Sequence, residues 1–109
     1  MNSIIELYAY ILSIKDISDK VDEIRYEEFI NDEEIISASF AIFKELINYL
    51  VKLDSMFILH SELNILVKEI YEADRFMINN YKMINSNMLY DFFKTDYKRL
   101  VRIVSELVK

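Results

Sequence analysis

The sequence contains no glycine, proline, cysteine or tryptophan among its 109 residues. Without glycine, the chain has no phosphate-binding loop, no dinucleotide fingerprint and no sharp turn that presents a nucleophilic serine, because each needs backbone that glycine adopts cheaply. Without cysteine, it has no disulfide framework, thiolate nucleophile or zinc-thiolate site. These absences exclude most classes of enzyme site.

The residues that remain offer little for catalysis. His60 is the only histidine, and we expect it to be solvated or to cap a helix rather than to bind a metal. The adjacent carboxylates at 27–28 and 33–34 lie near predicted helix ends, where solvation or the helix dipole accounts for them. We therefore expect a non-enzymatic protein without a cofactor or a bound metal.

Long hydrophobic runs are also missing. Charged residues interrupt every apolar stretch before the roughly 18 residues that a membrane span requires. The first twelve residues include Glu6 and lack a basic region and a small-residue cleavage site, so we predict no secretory signal. The expected location is the cytoplasm, or the host cytoplasm if the protein is viral, without membrane contact.

The fold class follows from the turn residues that are absent. Hairpins usually need Gly, Pro, Asn-Gly or Asp-Gly at their turns, and the chain has none of these. A hydrophobic content of 53% is enough for one core at this length. The sequence therefore predicts an all-α fold, a compact antiparallel bundle of four to five helices with short polar turns, with residues 1–109 as a single domain.

Apolar residues three and four apart place the first helices. Ile4, Leu7, Ile11 and Ile14 form one helical stripe, which predicts a helix over about 3–14. Polar residues favour a second helix from about Asp19. The same three- and four-residue spacing of apolar residues continues toward residue 30, so one bent helix over 3–30 is the alternative.

The later helix boundaries depend on polar breaks. Asp32 is a suitable N-cap for a third helix from Glu33, and two adjacent apolar stripes predict that this helix is buried on more than half its circumference. A turn near 54–55 precedes a fourth helix that continues to about Ile84. The final helix is predicted from Met88, with an apolar stripe formed by Tyr90, Phe93, Tyr97, Leu100, Val104 and Leu107.

Charge is distributed unevenly along the chain. Residues 1–34 hold ten acidic and three basic side chains, whereas residues 88–109 hold three acidic and five basic ones. We call Lys94, Lys98, Arg99 and Arg102 of the final helix the basic face. This face either forms ion pairs with the acidic second helix or contacts phosphates or an acidic partner. The overall charge of −6 opposes nucleic-acid binding.

The acidic residues between 16 and 34 also allow two interpretations. They are typical of a solvated helix face. They also suit a surface that docks a basic partner and raises the association rate. The residues predicted to form this acidic face are Asp22, Glu23, Glu27 and Glu28.

Tyrosine is abundant, with eight residues, and seven phenylalanines accompany it. Tyr10, Tyr26, Tyr71 and Tyr81 fall outside the best apolar stripes, and exposed tyrosine is enriched at protein interfaces. We therefore expect these four tyrosines to contribute to an interface, either with a protein partner or in a homodimer.

The sequence thus favours a helical protein–protein interaction module. The preference for Ile, Lys, Asn, Tyr and Phe, 49 of the 109 residues, suggests an AT-rich genome. We expect a small accessory or inhibitor protein of a phage, virus or mobile element that binds a host or partner macromolecule. The alternative is a small nucleic-acid-binding regulator that uses the basic face.

Overall fold

The computed structural model describes residues 3–79 and 81–109 and is all-α within those ranges, as predicted. The elements are α1 (Ser3–Ser13), α2 (Lys15–Glu23), α3 (Tyr26–Ile30), α4 (Glu33–Val51), α5 (Ser55–Ile58), α6 (Ser61–Phe76), α7 (Ser86–Asp91), a π-helical turn (Phe92–Asp96) and α8 (Tyr97–Leu107). Helices α1, α4, α6 and the last three elements contact one another around one hydrophobic core, and the shorter helices lie between them.

Residues 3–30 form three helices. The predicted helix over about 3–14 is confirmed as α1, but the next helix begins at Lys15 instead of about Asp19, and the alternative of one bent helix over 3–30 is wrong. An extended backbone at Ile24 separates α2 from α3. Hydrogen bonds from Ile14 N to Tyr10 O and from Ser18 N to Ile14 O bring helical bonding to Ile14 from both sides. The spacing of the apolar residues therefore continues across this break.

Helix α4 begins at Glu33 as predicted, and the Asp32 carboxylate accepts a hydrogen bond from Ile35 N at 3.1 Å. Its fully buried face is narrower than the two predicted stripes, because many stripe residues, Ile36 and Phe40 among them, are only partly buried. The buried face consists of Ile35, Ser39, Phe43, Leu46 and Leu50.

A turn and the short α5 separate α4 from α6. His60 is exposed, and its Nδ1 accepts a hydrogen bond from Leu63 N at the start of α6. The expectation that His60 caps a helix is therefore confirmed. Helix α6 ends at Phe76, so the prediction that it continues to about Ile84 is wrong.

The segment after α6 folds back on itself instead of continuing as a helix. Asn79 Oδ1 accepts hydrogen bonds from Tyr81 N at 2.9 Å and Met83 N at 3.2 Å, and Ile78 and Ile84 form an isolated antiparallel bridge. Lys82 adopts a left-handed backbone with φ of 60°. A tight bend therefore forms here without glycine, because the Asn79 side chain supplies the acceptor for two backbone amides.

The last three elements follow one another without a gap and form the C-terminal helix, residues 86–107. It starts two residues before the predicted Met88, with Asn85 as its cap. The π-helical turn was not predicted, and its wider winding lets the adjacent Phe92 and Phe93 both be buried. The predicted apolar stripe is confirmed as buried from Tyr90 to Val104.

Tyr97 connects the C-terminal helix to α1. Its hydroxyl donates a hydrogen bond to the Ile11 carbonyl at 2.6 Å. Burial favours the neutral phenol and raises the pKa of Tyr97 to about 12. In the part of the chain that the structure describes, no helix combines the length and the hydropathy needed to cross a membrane.

Candidate interaction surfaces

The basic face lies against acidic residues of the same chain. Lys98 Nζ is 2.9 Å from Asp22 Oδ1, and Lys94 Nζ is 3.3 Å from the same oxygen and 2.7 Å from the Asp22 carbonyl oxygen. The hydrogen bonds from Lys98 and Lys94 lower the pKa of the Asp22 carboxyl. The expected packing of these lysines beside the second helix is confirmed.

The two arginines of the basic face are paired with α6. Arg99 Nη1 lies 2.9 Å from Glu69 Oε2, and Arg102 Nη2 lies 2.7 Å from Glu62 Oε2. The hydrogen bond from Arg102 is the main cause of a lowered pKa of the Glu62 carboxyl. All four side chains of the basic face therefore have an acidic partner within the chain.

The predicted acidic face is divided in the structure. Asp22 belongs to the contact with the basic face, whereas Glu23, Glu27 and Glu28 are exposed. Glu28 pairs with Arg25 at 3.1 Å. The carboxylates of Glu23 and Glu27 make no ion pair with any residue in the described ranges.

Further unpaired acidic residues collect where α3 leads into α4. We call Glu27, Asp32, Glu33 and Glu34 the acidic cluster. All four are exposed, and none forms an ion pair with a described residue. Residues 26–37 contain five acidic side chains and no lysine or arginine, so no basic residue of this segment pairs with them.

Two of the four predicted interface tyrosines are partly buried within the chain. Tyr10 stacks on Tyr49 with ring centroids 4.6 Å apart, and its hydroxyl donates to the Ile42 carbonyl at 3.2 Å. Tyr71 is also half-buried, and burial raises the pKa of its phenol. These internal positions leave Tyr10 and Tyr71 little surface for a partner.

The other two tyrosines are more accessible. The Tyr26 hydroxyl donates a hydrogen bond to Asn87 Oδ1, and its ring lies edge-on to Tyr90. Tyr81 is 85% exposed at the fold-back after α6. Tyr81 therefore has the geometry expected of an interface residue.

Tyr81 belongs to a group of exposed apolar side chains that the sequence did not reveal. We call Phe76, Ile78, Tyr81 and Met83 the apolar loop; they are 52%, 44%, 85% and 64% exposed. In a helix continued to Ile84, as predicted, these four side chains would not all point in the same direction. The prediction therefore gave no indication of an exposed apolar group. The consecutive asparagines at 79–80 were the available signal for a turn.

A groove of about 400 Å³ lies between the apolar loop and the start of α4. Ile30 and Ile36 line one side, and Met83 and Ile84 line the other. Two charged residues, Glu33 and Lys82, also line it. The groove thus combines apolar walls with a member of the acidic cluster.

A more polar depression lies beside the π-helical turn. It has a volume of about 340 Å³, and Asp91, Thr95 and Asp96 are among its lining residues. Burial, with a contribution from Glu69, raises the pKa of the Asp96 carboxyl. Across residues 3–79 and 81–109, no group of three or more His, Cys, Asp or Glu is arranged to hold a metal ion.

The surface geometry can be compared with known proteins. Comparisons with protein-family models, with curated proteins and with solved structures find no match, which leaves the chain's own residues as the basis for a functional conclusion.

Proposed function

We propose that this chain is a non-enzymatic interaction protein that binds another protein through the apolar loop. The observation that carries the proposal is the exposure of four large apolar side chains within eight consecutive positions, with Tyr81 85% exposed. Exposed apolar residues that lie together, unlike single ones, are typical of interaction sites. Aromatic side chains and methionine are the types enriched in such sites.

The groove next to the apolar loop adds a second feature of a binding surface. Met83 is exposed and also lines the groove, so a partner that covers the loop also reaches the groove. A flat apolar patch gains affinity mainly from burial, whereas a groove also fixes the position of an inserted side chain. An accessory or inhibitor protein of a phage, virus or mobile element would act in this way, by covering a surface of its target.

A homodimer is a second way to cover the same residues, and it stays a prediction. Burying the apolar loop in a dimer would remove the same apolar area from water as a foreign partner would. Light scattering of the purified full chain measures this directly. A monomeric mass would leave the apolar loop available for a different protein.

Two matched double variants test the proposal. Tyr81→Ser with Met83→Ser removes apolar surface from the loop, and Met56→Ser with Leu59→Ser removes comparable surface elsewhere, since Met56 and Leu59 are also highly exposed. Each is expressed as a tagged full chain in cells of the host of the encoding element, and the co-purifying proteins are quantified by mass spectrometry.

We expect one protein to be retained at constant stoichiometry by the wild type and by the control pair but lost from the loop pair. Removing interface anchors of this kind costs about 2 kcal/mol or more, or more than tenfold in affinity. Equal retention by both pairs would overturn the proposal, as would the absence of any stoichiometric partner or dimer.

A further inference from the structure

The groove beside the apolar loop has a chemistry that specifies what it binds. Resting on the proposed function, we infer that it receives a partner segment in which apolar side chains stand beside lysine or arginine. The segment places its apolar side chains between α4 and the loop, and its positive charges reach Glu33 in the groove and Glu27 beside it.

Apolar side chains form the walls of the groove. Ile30 of α3, Ile36 of α4 and the pair Met83 and Ile84 after α6 present hydrocarbon from three parts of the chain. A volume of about 400 Å³ lies within the range of small-ligand pockets, and it accommodates one or two large apolar side chains. Helical segments use this mode when they place anchors on one face into an apolar groove.

Two acidic residues that form no ion pair within the described ranges, Glu33 and Glu27, lie in or beside these walls. Glu33 lines the groove directly, and Glu27 lies three residues before Ile30 on α3, which places the two on neighbouring positions of that helix. Neither carboxylate forms an ion pair with a described residue. Lys82 supplies one positive charge on the opposite side, so the surroundings remain negative overall.

This unpaired charge contrasts with the acidic residues that lie against the basic face. Asp22, Glu62 and Glu69 all lie within 3.0 Å of a basic side chain of the same chain. Glu27 and Glu33 have no such partner among the described residues, so their negative field is available to a ligand at the groove. A basic ligand gains both faster association and a defined orientation from such a field.

The same charge argues against a second copy of this chain as the occupant. In a two-fold dimer, the same surface is contributed by both subunits. Packing groove against groove would bring Glu27 and Glu33 toward their own counterparts, and like charges across an interface are unfavourable. A partner with basic residues meets no such repulsion.

The experiment uses the folded full chain and a display library of random peptides. Binders are selected on the wild type, and their dissociation constants are measured by fluorescence anisotropy. The variants are Met83→Ser, Glu33→Lys and Glu34→Lys. Glu34→Lys is the matched control because it makes the same charge change in the first turn of α4, but Glu34 lines a different depression, with Ile17 and Lys20.

We expect the selected peptides to combine apolar residues with lysine or arginine. Met83→Ser and Glu33→Lys should each weaken their binding by at least about tenfold, whereas Glu34→Lys should change it by less than about threefold. A second library selected on Glu33→Lys should lose the preference for basic residues. Circular dichroism of the variants checks that each is folded.

Three outcomes would overturn this inference. They are selection of peptides without basic residues, equal weakening by Glu33→Lys and Glu34→Lys, and no enrichment at all. If the cellular partner is lost with the apolar-loop variants but is indifferent to Glu33→Lys, the proposed function stands and only the basic segment is wrong. If the apolar-loop variants also retain every partner, the proposed function fails first.

Discussion

Phe43 lies at one end of a series of aromatic contacts that joins α4 to the C-terminal helix. Its ring lies edge-on to Phe92 at 4.9 Å, and Phe92 lies edge-on to Phe93 at 5.1 Å. Edge-to-face contacts add to the stabilisation from burial because the positive ring edge meets a negative face. Leu100 is equally buried, four residues before Val104 on the same stripe. Truncating either side chain would therefore leave a cavity in the core.

We predict that Phe43→Ala and Leu100→Ala each lower the free energy of unfolding by about 2 to 5 kcal/mol, because truncation removes buried apolar surface and leaves a cavity. Urea denaturation followed by circular dichroism measures the change. Ile65→Ala is the matched control on an exposed helical position, with an expected effect within about 0.5 kcal/mol. A wild-type midpoint for either core variant would show that the side chain does not contribute to the core.

The Asn79 side chain organises the fold-back between α6 and α7. Asn79 Oδ1 accepts hydrogen bonds from two backbone amides, while Asn79 N donates to the Met83 carbonyl at 2.9 Å. Asparagine is suited to this because its amide oxygen substitutes for a backbone carbonyl in a turn. The position of the apolar loop follows from this arrangement.

We expect Asn79→Ala to loosen this segment without unfolding the core. The amides of Tyr81 and Met83 should exchange with deuterium about two- to tenfold faster, since losing a hydrogen bond costs about 0.5 to 1.5 kcal/mol. Asn79→Asp keeps an acceptor oxygen and should preserve most of the protection. Unchanged exchange in the alanine variant would contradict the role assigned to Asn79.

The boundaries of the elements show what a single sequence can and cannot specify. The start of α4 was predictable because Asp32 and Glu33 satisfy the cap and the helix dipole locally. The end of α6 was not, because the apolar period continues beyond Phe76 and only the consecutive asparagines oppose it. The π-helical turn likewise leaves no local signal, since it depends on both Phe92 and Phe93 finding space in the core.

The distribution of charge over the whole molecule differs from its distribution along the chain. In sequence, the last 22 residues carry a net charge of +2. In the folded protein, Lys94, Lys98, Arg99 and Arg102 all meet carboxylates of α2 or α6. The pairing was predictable for α2 as one of two alternatives, whereas the contribution of α6 depends on tertiary packing that sequence spacing does not specify. Folding therefore pairs the basic face with carboxylates, whereas the acidic cluster forms no ion pair with a described residue.

The ion pairs of the basic face lead to a prediction about nucleic acid, which is the alternative partner predicted from the sequence. Binding to phosphates needs positive side chains that can replace condensed counterions, but those of the basic face already have carboxylate partners, and the net charge of −6 repels the polyanion. We therefore expect no gel shift of DNA or RNA by the wild type, even at low salt. A shift that weakens steeply with added salt, and that disappears when Lys98 and Arg102 are changed to Glu, would show that phosphates displace Asp22 and Glu62, and would restore the nucleic-acid alternative. A shift that survives those changes would place the contact on a different surface.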